Sequence, residues 1–363
     1  MIRRRICFLS AVWSGRSACG PPAGKCHGRI INYGIATTSS RTGTTASPAR
    51  RRLAWICLAL LPLAGAAPAQ PPELGPPVWA MAGEEEPITP VPQPPPADPL
   101  RLALGESLFS DQRLSYDGAF ACVSCHDVHS NGADSGRTMP YGTSVHMLNV
   151  PTVFNAALSF RLNWEGNYHT LEEQAQASLE SKTTMRSSVD TVIAKLNADP
   201  GMAERFRDAY GHSADRASLL DAIATYERSL LTPESRFDRW LAGDKAALTP
   251  EEQHGYALFK SLGCVSCHQG VNIGGNLYQR HGIFHPLAAP EPEVLRVPSL
   301  RNVATTAPYF HDGSAPTLAE AVRQMAAAQL DEDLSEQEIN AIIAFLQTLT
   351  GTYQGHPVVP APR

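Results

Sequence analysis

Downstream of residue 57 the chain has no cysteine outside one short word that occurs twice, and the first 69 residues contain no aspartate or glutamate. The first absence leaves no thiol for a structural disulfide or a catalytic nucleophile once the leader is set aside, which excludes cysteine-protease and thioredoxin-like readings. Apolar runs are scarce as well. The longest, residues 53–67, follows Arg50, Arg51 and Arg52 and precedes Ala67-Pro68-Ala69, the order of a secretory signal rather than a membrane span. Cys57 lies inside that run, not after its end, which argues against a lipid anchor. Residues 1–49 show no periodicity; they imitate a transit peptide but are read as preceding the true start. The leader holds ten Lys/Arg, so the remainder carries 20 basic and 35 acidic groups, a formal −15. That balance excludes nucleic acid as a partner and suits a donor protein with a basic face, or simple solubility. No membrane span is expected after signal cleavage, and the leader points to export into an oxidising compartment, the periplasm.

The repeated word is Cys122-Val123-Ser124-Cys125-His126 and Cys264-Val265-Ser266-Cys267-His268. Cys-x-x-Cys-His is the attachment signature of c-type haem: two thiols add to the porphyrin vinyl groups and the adjacent histidine supplies a nitrogen to iron. A redox Cys-x-x-Cys, or a zinc site pairing the two words, would not need the following histidine in both copies. The spacing therefore predicts two covalently bound haems.

Residues 71–99 hold eleven prolines and Glu84-Glu85-Glu86 and read as an extended tether. Helical spacing then dominates: LRLALGESLF, TLEEQAQASLE behind Thr170 and Glu173, SVDTVIAKLNAD, GMAERFRDAYG and ASLLDAIATYERSLL. The second half repeats the style with helices opened by Thr249, Thr317 and Ser335, the last expected to end at Gly351. Strand-like alternation is rare. The fold class is mostly α: two tandem cytochrome c-like haem domains with long loops. The expected division is a leader over 1–69 (apolar region 53–67), a Pro-rich linker over 70–99, a first domain over 100–245, a second over 246–352 and a tail over 353–363.

Residues 150–174 align without a gap to 297–321, with eight of 25 positions identical, including Asn155/Asn302, Gly166/Gly313 and Thr170/Thr317. A duplicated mono-haem module follows. Extending the alignment sets Met325 opposite Ser178. A thioether ligates iron and a serine hydroxyl does so poorly, so Met325 is the candidate sixth ligand of the second haem, with core packing as the plainer alternative. The first haem lacks such a partner.

The chain from Leu100 to Gly351 resembles the bacterial di-haem cytochrome c peroxidases, whose superfamily includes MauG-type enzymes. The motifs that carry the likeness are LGESLFSDQRLS, VPTVFNAAL, TLEEQ, SRFDRWLAGD, GVNIGGN, VPSLRNVATTAPYFHDGS and TLAEAVRQM. The resemblance implies a peroxidatic first domain, an electron-transfer second domain, hydrogen peroxide as substrate and a small cytochrome c or cupredoxin as donor. It also admits a homodimer. It implies methionine ligation at Met325, where MauG has tyrosine, a tryptophan between the haems at Trp164 and a glutamine over the first haem at Gln174. It further implies a calcium ion held by Asn149, Thr306 and Pro308. The departures fall in the first half. The family's distal glutamate is Thr184 here, with Glu180 nearby as a substitute or a solvated helix residue. The histidine that caps the resting first haem falls on Gly142, with His146 four residues later. The Trp-Asp-Gly-Arg word is Trp164-Glu165-Gly166-Asn167, and the loop between GGN and VPSLRN is short. These changes leave two alternatives open: a MauG-like oxidation of a protein side chain, and a non-catalytic electron carrier or sensor.

Overall fold

Two helices cross beside each haem word, and in both modules a glycine lets them touch. In the computed structural model, which describes residues 86–134, 138–140 and 147–362, helix α1 (Pro99–Phe109) precedes the first word and α5 (Arg216–Ser229) crosses it. A Cβ on Gly105 would lie 2.0 Å from the carbonyl oxygen of Ala222 and 2.9 Å from Cβ of Tyr226. In the second module α7 (Pro250–Ser261) meets α9 (Glu336–Gln347), and a Cβ on Gly255 would lie 1.9 Å from the oxygen of Ala341. No side chain fits either crossing, because backbone cannot retreat as a flexible side chain can.

Between these pairs the first module adds α2 (Leu171–Glu180), α3 (Val189–Ala198) and α4 (Pro200–Tyr210), and the short α6 (Arg236–Leu241) leads into the second module, which adds α8 (Leu318–Leu330). Side-chain oxygens of Asp98, Thr170, Ser188, Asp199, Asp215, Ser235, Thr249, Thr317 and Ser335 accept first-turn amides, so nearly every predicted start is a capped start. Among the described residues strand is confined to three two-stranded antiparallel ribbons: β1 (Thr138–Pro140) with β2 (Met147–Asn149), β3 (Tyr278–Arg280) with β4 (Val294–Arg296), and β5 (Thr352–Tyr353) with β6 (His356–Pro357). The mostly α architecture is as the sequence predicts.

Each module has its own core. Leu104, Leu108, Val192, Leu196, Phe206, Leu219 and Ile223 fill the first; Phe237, Tyr256, Phe259, Ile339, Ile342 and Phe345 fill the second. The duplicated segment keeps its backbone in both copies. Asn155 and Asn302 share φ 60°, Gly166 and Gly313 have φ 66° and 70°, and the bridge Leu162–Tyr168 recurs as Tyr309–Ala315. Both asparagines donate to one hydroxyl, Thr232 Oγ1, at 2.7 and 3.0 Å, which ties the modules together at the chain that links them.

Three expectations change. Residues 86–91 do not hang free. Ile88 is buried in the second core, the Val91 amide donates to Asp238, and the Arg301 guanidinium bridges Asp238 (2.8 Å) and the Thr89 carbonyl (2.8 Å). Proline-rich composition predicts an extended chain correctly, but an extended chain still packs where one apolar side chain and its backbone find partners. The tail likewise returns to the first module, where Val358 joins Phe109, Phe154 and Tyr226 and Tyr353 packs on Phe154. Gly351 does not end α9, which stops at Gln347 with Thr348 as its cap. It is glycine because a Cβ there would lie 2.0 Å from the Thr232 oxygen.

Candidate functional site

The two haem words fold alike. Cys122–Ser124 and Cys264–Ser266 are single 3₁₀ turns, and the amide of each following histidine closes back on the first cysteine carbonyl, at 2.9 and 3.0 Å. All four thiols are free of disulfides. Burial pushes Cys122 up to about 12 and Cys264 up to about 11. Those are inert thiols, unlike the acidified thiolate of a redox Cys-x-x-Cys. His126 Nδ1 faces the Gly132 carbonyl and His268 Nδ1 the Ile273 carbonyl, each at 3.2 Å. A carbonyl oxygen only accepts, so Nδ1 carries the proton and the Nε2 lone pair is left for a metal. Burial lowers both imidazole pKa values, His268 to about 4, which keeps them neutral. Paired thiols beside a neutral, oriented imidazole are the donor set a c-type haem needs. The zinc alternative fails: among the described residues no three His, Cys, Asp or Glu side chains converge on one point.

Matched helices of the two modules carry different chemistry. Thr170 and Thr317 cap α2 and α8 with nearly the same backbone angles, φ −127° in both and ψ 157° and 153°. Position 178 on α2 and position 325 on α8 therefore occupy equivalent places, eight residues from the cap. Met325 follows Leu318, Ala321 and Val322 at helical spacing and is half-buried, but it is not one of the side chains packed into the second core. Ser178 instead accepts a hydrogen bond from Gln174 Nε2 at 2.9 Å. Thr184, in the segment that folds back on the end of α2, donates its hydroxyl to the Ser178 carbonyl at 2.8 Å. Gln174, Ser178 and Thr184 thus lie together. Glu180 does not join them: it sits on the exposed side of α2, 3.9 Å from Arg216 and bonded by Gln176. Two residues on from Ser178, a helix has turned about 200° away.

Trp164 lies where the modules meet. Its indole donates to the Asn149 carbonyl at 2.8 Å, its own carbonyl accepts from the Arg296 amide, and its ring packs with Leu148, Leu295 and the edge of His311. Arg296 is buried beside it, its Nε donating to the Asn163 carbonyl at 3.1 Å. Of the calcium candidates, Asn149 donates its amide to the Pro308 carbonyl at 2.7 Å, while Thr306 bonds back to Val303 through its hydroxyl. His146 lies outside the described residues. Of the remaining histidines, His129, His169 and His285 are exposed, but His281 is held between the carbonyls of Leu287 and Pro292 and packs at a tilt against buried His311.

The family description "Di-haem cytochrome c peroxidase" matches residues 99–246, and that of cytochrome c matches residues 252–350. A cytochrome c551 peroxidase of Nitrosomonas europaea is 38% identical over 295 residues, 76% of this chain and 88% of its own. The chain belongs to the di-haem cytochrome c peroxidase family. A cytochrome c peroxidase of Escherichia coli is 39% identical over 287 residues, 74% of this chain and 62% of that longer protein. Among solved structures, a MauG-like protein associated with microbial copper homeostasis superposes with a TM-score of 0.62 at 28% identity, covering 72% of this chain and 93% of that one. As in the family, two c-type haem modules stand in tandem, and no helix among the described residues is long and apolar enough to cross a membrane.

Sequence reasoning passed over one group in this di-haem peroxidase. Glu227 is buried on α5 among the apolar stripe of Ile223, Ala224 and Leu230. A single acid on the inward face of a helix was the available signal.

Proposed function

We propose that this chain reduces hydrogen peroxide to water, taking two electrons and two protons per peroxide, with the electrons supplied by a small cytochrome c or cupredoxin. The observation that carries this reading is the contrast between Ser178 and Met325 at equivalent places on the matched helices of two modules that each hold a haem word. When bound, the haems supply the redox chemistry, one accepting electrons from the donor and the other delivering them to peroxide. His126 would hold the first iron, and His268 and Met325 the second. Gln174, its amide steadied by Ser178, offers a carbonyl oxygen and an N–H to orient the substrate. Trp164, fixed by its bond to Asn149, is the aromatic group between the halves. Thr184 has no titratable proton, so proton delivery beside Gln174 falls to water held there. A calcium ion taken by the side-chain oxygen of Asn149 and the carbonyls of Thr306 and Pro308, with water completing its shell, would brace the junction beside Trp164. It requires the Asn149 amide to turn over, since its nitrogen now faces Pro308. Signal-directed export to the periplasm fits the formal −15 that remains after residue 69.

The test is steady-state consumption of peroxide with a reduced small cytochrome as donor, expected to oxidise two donors per peroxide. Donor oxidation that instead tracks modification of a protein tryptophan or tyrosine would support the MauG-like reading. Reversible haem reduction with no peroxide consumption would leave an electron carrier.

A further inference from the structure

The buried face of α5 carries one acid whose place in the fold has no structural return. Glu227 is 8% exposed, and its Oε2 is enclosed with no hydrogen-bond partner. An unpaired buried polar atom costs roughly 1–3 kcal/mol. The Glu227 charge is felt by the Cys122 sulfur of the first haem word, and the charge of Glu172, in the first turn of α2, acts on it in turn. The second module shows what the fold itself asks for. Gly105 meets Ala222 and Tyr226 as Gly255 meets Ala341 and Phe345, and in that register Glu227 falls on Leu346, a buried core residue. The same helix crossing is built with leucine beside the second word and with a carboxyl beside the first.

We propose that Glu227 is the group that takes up a proton when the haem of the first module accepts an electron, and releases it when that haem is oxidised. An electron entering a buried site adds one negative charge. One proton from solvent converts the Glu227 carboxylate to the neutral acid as ferric iron becomes ferrous, so charge and atoms balance, and oxidation reverses both. Geometry fits this use: the carboxyl is shielded from water, its field reaches a sulfur that would carry the haem, and among the described residues it forms no ion pair that would lock it ionised. Burial first, then the charge of Glu172, pushes it up to about 8, while Arg228 pulls the other way. The groups that face it are few. Arg228 is bonded to Glu172 and lies 4.0 Å from Asp221. Glu106, on α1, acts on the phenols of Tyr226 and Tyr353, which burial keeps protonated. Cys122 is consumed in the thioether.

The inference rests on the first cysteine pair carrying haem, and not on peroxide as substrate. It is tested by spectroelectrochemical titration of the first haem in the holoprotein across the neutral pH range, together with reduced-minus-oxidised infrared spectra. The wild-type potential should fall as pH rises and flatten on either side, because the reduced form holds the proton more tightly. A carboxylic-acid band should appear on reduction. In Glu227→Gln and in Glu227→Leu the slope and the band should both be lost. The potential should then lie above wild type at alkaline pH and meet it at acid pH, with the second haem unchanged. A slope that persists in Glu227→Gln, or a wild type with neither slope nor band, overturns the proposal. If neither variant assembles, the wild-type band decides alone. A first cysteine pair without covalent haem would contradict the underlying assignment instead.

Discussion

Replacing Met325 with histidine is expected to leave the second haem low-spin, lower its potential and slow donor-driven turnover more than any other single change away from the attachment words. Thioether ligation raises haem potential relative to a second imidazole. For a one-electron couple, a fall of about 120 mV makes reduction of that haem by the donor about a hundredfold less favourable. The expectation rests on where Met325 sits: eight residues into a helix whose cap geometry is repeated in the first module, half-buried at helical spacing from Leu318, Ala321 and Val322. The histidine variant separates ligation from packing, because a side chain of similar bulk would satisfy the latter. Redox titration of Met325→His is the measurement. An unchanged high-potential wave would remove Met325 from the iron.

Thr184→Glu is expected to act in the opposite direction and raise peroxide turnover by at least about tenfold. General acid–base assistance contributes roughly 10²–10⁴-fold where the geometry is right, and the lower figure allows for an imperfect fit. The position is suitable: the Thr184 hydroxyl reaches the Ser178 carbonyl at 2.8 Å, and Ser178 in turn holds the Gln174 amide. The substitution gives up that one hydrogen bond, a loss of about 1 kcal/mol in stability, and places a titratable carboxyl beside the residue that orients peroxide. Glu180→Gln should leave the wild-type rate nearly unchanged, since Glu180 faces Arg216 and solvent. A collapse of activity in Glu180→Gln, with no gain in Thr184→Glu, would show that the proton route runs through Glu180 after all.

Much of this architecture is legible in the chain because its signals are local. Cys-x-x-Cys-His needs five residues, and helix starts are written as Thr, Ser or Asp three places ahead of the amide they accept. The duplication is visible because Asn155/Asn302 and Gly166/Gly313 must keep positive φ, which few residues do. What stayed hidden depends on partners distant in sequence. Residues 86–91 read as a tether because nothing near them announces that Arg301, more than 200 positions away, will bond the Thr89 carbonyl. Gly351 reads as a helix stop, although its hydrogen is required by the Thr232 carbonyl from the linking segment. Glu180 looks available until helix geometry turns it away from Ser178. Glu227 looks like one more charge on a helix until Leu346, its counterpart, shows that the same place in the second module is core.

The asymmetry between the modules is the central claim, and carbon monoxide titration of the fully reduced protein tests it most directly. One equivalent should bind, at the first haem, if as proposed Met325 ligates the second iron and Ser178 leaves the first without such a ligand. Met325→Ala should bind two. Two equivalents in the wild type, or one equivalent that moves to the second haem, would contradict the account.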